Sequence, residues 1–112
     1  MANTIERRKH TRIKVRWPIT VLTDNGEIKG ETRDITVVGM FINCKEPLGL
    51  NESYQISIIP PNHESIDLTC KVTWSNLYST GGENTYDAGF CFVKVSDEDI
   101  NSLSDVLSIH YK

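Results

Sequence analysis

Residues 66–74 read Ile-Asp-Leu-Thr-Cys-Lys-Val-Thr-Trp, which is the most regular pattern in the chain. Every second residue, up to Trp74, is apolar, and the residues between them are polar or charged. A period of two predicts a β-strand with one buried side and one solvent-facing side. Because Trp74 ends the apolar side of this strand, the pattern predicts that it lies in the core or at the rim of the fold.

The sequence on either side of this stretch predicts five more strands. Alternation from Val15 to Val21 indicates the first of them, and Pro18 within it favours an edge strand or a bulge because proline cannot donate a backbone hydrogen bond. Asp24-Asn25-Gly26 is typical of a hairpin turn. The other predicted strands cover roughly residues 27–35, 40–44, 54–58 and 86–95, and a polar, Gly-containing loop is predicted over residues 76–84.

The end of the chain predicts one amphipathic helix, from about residue 96 to residue 112. Ser96 and the three acids after it form a capping box, and acidic residues in a first turn suit the helix dipole. Six antiparallel strands followed by a helix favour a closed barrel or a sandwich. The apolar residues of the helix recur at helical spacing and are Ile100, Leu103, Leu107 and Tyr111.

The chain has 112 residues, the size of one domain, and a formal net charge of −3. A negative total argues against a general nucleic-acid binder. We divide the chain into a flexible basic arm, residues 1–13, and a folded body, residues 14–112. Positive charge is concentrated near the N-terminus, at Arg7, Arg8, Lys9, Arg12, Lys14 and Arg16.

Several features favour the cytoplasm. No apolar run is long enough to cross a membrane, and no apolar run of the kind found in signal peptides follows the first basic residues. Cys44, Cys70 and Cys91 are odd in number and far apart, which favours buried thiols over disulfides.

Two short polar motifs flank the first predicted hairpin. Arg8-x-x-x-Arg12 precedes the first strand, and Asp34-x-Thr36-x-x-Gly39 follows the second. Guanidinium groups are always charged and can bind phosphate or the O6/N7 edge of guanine with two hydrogen bonds. Carboxylate and hydroxyl oxygens accept from donors, which arginine cannot do. A cluster of this composition suits a ligand that carries both phosphates and guanine edges.

Each motif also has a plain structural interpretation. Short arginine pairs are common in solvated basic arms, and Asp, Thr and Gly are ordinary turn residues. Trp74 could stack on a base as well as pack in a core. The sequence contains no nucleophile elbow or phosphate-binding loop, so no enzyme is predicted. No metal site is predicted either, because metal-ligand spacing is missing around His10, His63 and His110.

Taken together, the two motifs resemble the PilZ domain family, whose members bind cyclic di-GMP. The family pattern is R-x-x-x-R before the first strand and (D/N)-x-S-x-x-G after the second, and the resemblance continues through residues 72–74, residues 86–92 and the acidic start of the last helix. It implies a mainly β fold, a six-stranded antiparallel β-barrel with one C-terminal α-helix. The ligand-binding residues that it implies are Arg7, Arg8, Arg12, Asp34, Thr36 and Gly39, with Trp74 as a further candidate.

Thr36 stands where the family usually has serine; the hydroxyl is kept, and the added methyl restricts χ1. The resemblance implies a stand-alone receptor without enzymatic activity or cofactor. Such a receptor would change conformation on binding cyclic di-GMP and signal through a protein partner, without membrane insertion. Two alternatives stay open: an adaptor that binds protein but no nucleotide, and a small barrel that binds single-stranded nucleic acid in a basic, aromatic-lined groove.

Overall fold

The computed structural model describes residues 12–80 and 83–109. Six strands form one closed antiparallel barrel in the order β1-β2-β3-β6-β5-β4, followed by a helix, so the predicted fold class is confirmed. Within the described residues, no helix is both long enough and apolar enough to span a membrane. The elements are β1 (Pro18–Thr23), β2 (Gly26–Ile35), β3 (Gly39–Cys44), β4 (Ser53–Ile58), β5 (Ile66–Thr80), β6 (Glu83–Lys94) and α1 (Asp97–Ser108).

Alternate residues of the strands fill the barrel interior. Val21, Ile42, Ile56 and Val72 come from four different strands, and each is 0% exposed. Burying a branched aliphatic side chain of this size stabilises the fold by about 1.5–3 kcal/mol relative to leaving it exposed. Helix α1 lies against β5 and adds its apolar side to this core.

The first strand begins later than predicted, at Pro18. Pro18 lies at neither a sheet edge nor a bulge, so that prediction was wrong: it pairs with Glu31 of β2, and β1 is flanked by β4 on its other side. Proline fits because it is the first residue of the strand, where its carbonyl accepts from Ile59 N–H at 2.9 Å and no N–H is needed.

Residues 76–84 do not form the predicted loop. Strand β5 continues to Thr80 and β6 begins at Glu83, and the two strands pair up to Thr80↔Glu83, with β3 beside β6 as far as Cys44↔Tyr86. The polarity of this segment indicated a loop, but antiparallel strands with one solvent-facing side also accommodate polar residues.

A bulge at Thr73 reverses the alternation of β5. Val72 lies opposite Phe90 and Trp74 lies opposite the adjacent Gly89, so Thr73 is an extra residue in this ladder. Val72 is 0% exposed, whereas Trp74 is 41% exposed. The prediction that Trp74 ends the buried side was therefore wrong, because one extra residue moves it to the outer face of the barrel.

Helix α1 begins with the predicted cap, in which Ser96 Oγ accepts from Asp99 N–H at 3.1 Å. It ends at Ser108, earlier than the predicted end at residue 112, and Tyr111 lies outside the described residues. The side that it buries consists of Leu103, Val106 and Leu107.

The three cysteines are free thiols. Cys44 and Cys70 are buried, as predicted, but Cys91 is only half-buried. Burial, with a smaller contribution from the Cys91 thiol, raises the pKa of Cys70 from 9.0 to about 12. Cys70 is therefore an uncharged core residue at neutral pH.

Candidate ligand-binding site

A short bridge fixes the first described residues against the end of β2. Ile13 N–H donates to Ile35 O at 2.9 Å, and Ile35 N–H donates to Ile13 O at 3.0 Å. Ile13 is 7% exposed, so the core anchors this segment as well. Arg12 consequently lies beside Asp34, with its Nη1 atom 3.6 Å from Asp34 Oδ2.

The two side chains of the Arg12–Asp34 ion pair differ in their exposure to solvent. The Arg12 side chain is 73% exposed and the Asp34 side chain is 13% exposed. Such a solvated pair contributes little to stability, so the Arg12 guanidinium remains available to an anion from solution while Asp34 stays fixed. The other two arginine candidates, Arg7 and Arg8, lie outside the described residues.

The turn between β2 and β3 is held by Thr36. Its N–H donates to Gly39 O at 2.8 Å, and its Oγ1 accepts from Val38 N–H and Gly39 N–H, each at 3.1 Å. The hydroxyl also lies 3.3 Å from Gly39 O, to which it donates. The hydrogen-bonding capacity of this hydroxyl is therefore used within the turn, which gives Thr36 a shaping role at this site.

Gly39 is required by packing between β3 and β6. It pairs with Cys91 across these strands, and a Cβ atom at this position would overlap the Phe90 carbonyl oxygen. That oxygen belongs to the backbone of a central strand and cannot move aside cheaply. The glycine thus brings the Thr36 turn into close contact with β6.

One row of paired residues crosses four strands on the outer face of the barrel. Asp34 in β2 pairs with Phe41 in β3, Phe41 pairs with Gly89 in β6, and Gly89 pairs with Trp74 in β5. Gly89 has no side chain, and a Cβ atom there would overlap the Trp74 indole. The gap allows the rings of Phe41 and Trp74 to meet, with centroids 5.2 Å apart and planes inclined by 56°.

These residues line an open cleft of about 420 Å³. An exposed guanidinium can bind an anionic group, a fixed carboxylate can accept from an N–H group, and two aromatic rings can stack on a flat base. Phe41, Thr73 and Gly89 also face the cleft. The candidates that the structure brings together here are Arg12, Asp34, Thr36, Gly39 and Trp74.

An adjoining hollow of about 690 Å³ shares Arg12 with the cleft and is rich in cations. Arg16 Nη1 and Arg33 Nε each lie 3.8 Å from Glu31 Oε2, at ion-pair distance, while Arg33 Nε is buried without a hydrogen bond. Positive charge therefore continues from the cleft along the first described residues. The cations that line the hollow are Arg12, Lys14, Arg16 and Arg33.

Sequence reasoning did not place Phe41 and Gly89 in the cleft. A glycine inside a strand pattern often marks a close approach of another group, and this signal could have identified Gly89. Phe41 lies between the buried residues Met40 and Ile42, so alternation alone assigns it to the outer face. An aromatic residue on that face is a second signal of a binding surface.

Comparison with known proteins gives one family. Residues 6–108 match the family model described as PilZ domain. The PilZ domain of YcgR from Escherichia coli, solved with c-di-GMP, is 15% identical with a TM-score of 0.73, over 91% of this chain and 90% of that chain. No curated protein sequence matches the chain significantly.

Two longer proteins share the fold. The K. pneumonia MrkH–c-di-GMP complex is 17% identical with a TM-score of 0.78, over 91% of this chain and 51% of that chain. The Borreliella burgdorferi PlzA protein in complex with c-di-GMP is 12% identical with a TM-score of 0.65, over 99% of this chain and 57% of that chain. This chain thus spans about half the length of either protein.

At such identities the solved structures show a common fold, a closed six-stranded barrel with a C-terminal helix. The family match goes further, because it covers nearly the whole sequence and includes the arginine motif and the Asp34–Gly39 motif. The chain belongs to the PilZ domain family.

Proposed function

We propose that this chain is a receptor for cyclic di-GMP. The observation that carries the proposal is the meeting of Arg12, Asp34 and Trp74 on one cleft beside Gly89. A cyclic dinucleotide has phosphates and guanine bases, so it needs a cation, hydrogen-bond acceptors and apolar rings in one place. Three structures of this fold solved with c-di-GMP, the YcgR PilZ domain, MrkH and PlzA, support the same ligand class.

Arg12 and Asp34 act as the polar contacts of the proposed site. The solvated Arg12 guanidinium binds a phosphate or the O6/N7 edge of a guanine with two hydrogen bonds. The Asp34 carboxylate accepts from a guanine N–H, or orients Arg12 when Arg12 contacts the ligand. Arg7 and Arg8 add two further cations from the arm.

The remaining candidates set the shape of the proposed site. Thr36 and Gly39 hold the turn close to β6, which lets the ligand approach the backbone there. Trp74 and Phe41 form an aromatic surface on which one base stacks, a contact worth about 1–3 kcal/mol per base.

The proposed signal is an ordering of the arm in the cytoplasm, with no catalytic step. The part of the arm from about residue 1 to residue 9 carries like charges that repel, and a bound di-anion removes this repulsion. Fixing the backbone costs about 1–2 kcal/mol per residue, which is drawn from the binding free energy. The ordered arm then changes the surface that the receptor presents to a protein partner.

A calorimetric titration with cyclic di-GMP tests the proposal, with Arg12→Ala as the site variant. Losing one charge-assisted hydrogen bond should weaken binding by about ten- to hundredfold. Lys29→Ala is the matched control, because the Lys29 side chain is also 73% exposed and also has one ion pair, 3.5 Å from Glu27 Oε1. We expect the control to bind like the wild type.

The outcomes separate the alternatives. A wild-type protein that is folded but gives a flat titration would favour a PilZ adaptor that binds no nucleotide. Binding that Arg12→Ala leaves unchanged would keep the function and refute the site. Hydrogen exchange of the arm with and without the nucleotide tests the ordering step, and equal exchange would mean a preformed site.

A further inference from the structure

Among the described residues, the outer half of β5 has a neighbouring strand on one side only. Strand β4 pairs with β5 from Ile58↔Ile66 to Ser53↔Lys71 and stops there. The segment before β4 makes the last contacts, in which Asn51 N–H donates to Val72 O and Val72 N–H donates to Glu52 O, each at 2.9 Å. Beyond Val72, β5 continues to Thr80 with β6 as its strand partner among the described residues.

The alternation of an antiparallel ladder shows which backbone groups face this open edge. Phe92 N–H donates to Val38 O, so Phe92 and every second residue before it face β3. The intervening residues, including Asp87, face β5, and Asn76 lies opposite Asp87. Asn76 therefore bonds to β6, and the N–H and C=O groups that point to the open edge are those of Ser75, Leu77 and Ser79.

The open edge of β5 lacks the features that usually prevent an edge strand from pairing with another chain. Natural edge strands are protected by charged residues, by proline or by a short length. Residues 73–80 contain no Lys, Arg, Asp, Glu or Pro. Leu77, in the middle of the stretch, is 61% exposed. This edge can accept another strand without burying a charge.

We propose that the open edge of β5 pairs antiparallel with the same edge of a second copy of this chain. A two-fold axis through Leu77 places Ser75 opposite Ser79 of the other copy and Leu77 opposite its own counterpart. Each of these hydrogen-bonded pairs exchanges two bonds, so the interface gains about six backbone hydrogen bonds. The β5 and β6 strands of the two copies then form one continuous sheet, which β3 extends in each copy as far as Cys44↔Tyr86.

A second copy is the occupant that the edge chemistry fits best. Closed two-fold pairing is the commonest form of self-association, and it requires a surface that is complementary to itself. An uncharged edge meets this condition, because pairing places no like charges opposite each other even though the whole chain carries a charge of −3. Beyond Leu77↔Tyr86, where β3 ends, β5 and β6 are paired only with each other among the described residues, and such a two-stranded segment gains support from added strands. This inference is independent of the proposed nucleotide site.

Sedimentation of the full chain over a range of concentrations tests the pairing, combined with hydrogen exchange. We expect a reversible monomer–dimer equilibrium, with protection of the amides of residues 75, 77 and 79 that increases with protein concentration. Leu77→Lys places two like charges beside the axis and should raise the dimer dissociation constant by about tenfold or more. Leu22→Lys is the control, since Leu22 is 44% exposed on β1, which has strand neighbours on both sides.

Each contrary result overturns the proposal. A chain that stays monomeric at all concentrations does not pair through this edge. A dimer that Leu77→Lys and Leu22→Lys affect equally, or that leaves the three amides unprotected, uses a different surface. Protection that is already complete in the dilute monomer would show that a segment of the same chain covers the edge.

Discussion

The Thr36 hydroxyl, together with the backbone bond from Thr36 N–H to Gly39 O, holds the β2–β3 turn. It accepts from two backbone N–H groups, each at 3.1 Å, and Thr36 is 9% exposed. Thr36→Val keeps the shape of the side chain but leaves these donors without a partner, which should lower the free energy of unfolding by about 1–3 kcal/mol. Chemical denaturation followed by circular dichroism measures the change.

Thr36→Ser is the control for this prediction. Serine keeps the hydroxyl and loses only a methyl group, so stability and cyclic di-GMP binding should stay close to those of the wild type. If Thr36→Ser is as damaging as Thr36→Val, the methyl group and not the hydroxyl maintains the turn.

The raised pKa of Cys70 should make the free energy of unfolding depend on pH in the alkaline range. The folded protein retains the thiol proton up to a pKa of about 12, whereas the unfolded chain loses it near 9.0. The unfolded state therefore binds fewer protons above pH 9, and the free energy of unfolding should fall as the pH rises from about 9 towards 12. The loss is about 4 kcal/mol at most, since one pKa unit corresponds to about 1.4 kcal/mol.

Comparison with Cys70→Ala isolates this effect. Other groups also titrate in this range, so the quantity to measure is the difference in slope between wild type and variant in urea unfolding at pH 8, 9 and 10. The variant should lose stability less steeply with pH. Parallel slopes would show that Cys70 ionises in the folded state as easily as in the unfolded chain.

At the scale of elements, sequence patterns predicted the barrel strands and the helix. They failed where the position of a residue depends on pairing with a neighbouring strand. Alternation identified the buried side of residues 66–72, and the capping box identified the start of α1. Pro18 and Trp74 were misplaced because barrel closure and the bulge at Thr73 depend on pairing between strands distant in sequence. Such pairing leaves no local periodicity to recognise.

Helix α1 should contribute to stability through its buried leucines. Leu103 is 0% exposed, and Leu103→Ala leaves a cavity that should cost about 2–5 kcal/mol of unfolding free energy. The matched control is Ile100→Ala, because Ile100 is on the same helix and 38% exposed. Urea unfolding of both variants measures the difference. Equal effects would mean that α1 does not pack on the barrel in solution.

At the scale of the whole molecule, the pairing of β2, β3, β6 and β5 assembles the cleft from distant parts of the sequence. The motifs identified Arg12, Asp34, Thr36 and Gly39, because these residues belong to two short stretches around one hairpin. The aromatic part depends on the pairing of β2, β3, β6 and β5, which places Phe41 beside Gly89 and Trp74. The sequence therefore predicted most of the polar side of the cleft, while its aromatic side required the strand register.

The extra residue at position 73 puts the two halves of β5 out of phase. Up to Val72, even-numbered side chains point into the barrel, whereas Trp74 points outward. A deletion of one residue at this point would restore the phase and turn the indole inward, away from Phe41. The number of residues in β5 at this bulge therefore determines whether the indole faces the cleft. A single deletion at this position would remove the Trp74 ring from the cleft while keeping both aromatic residues in the sequence.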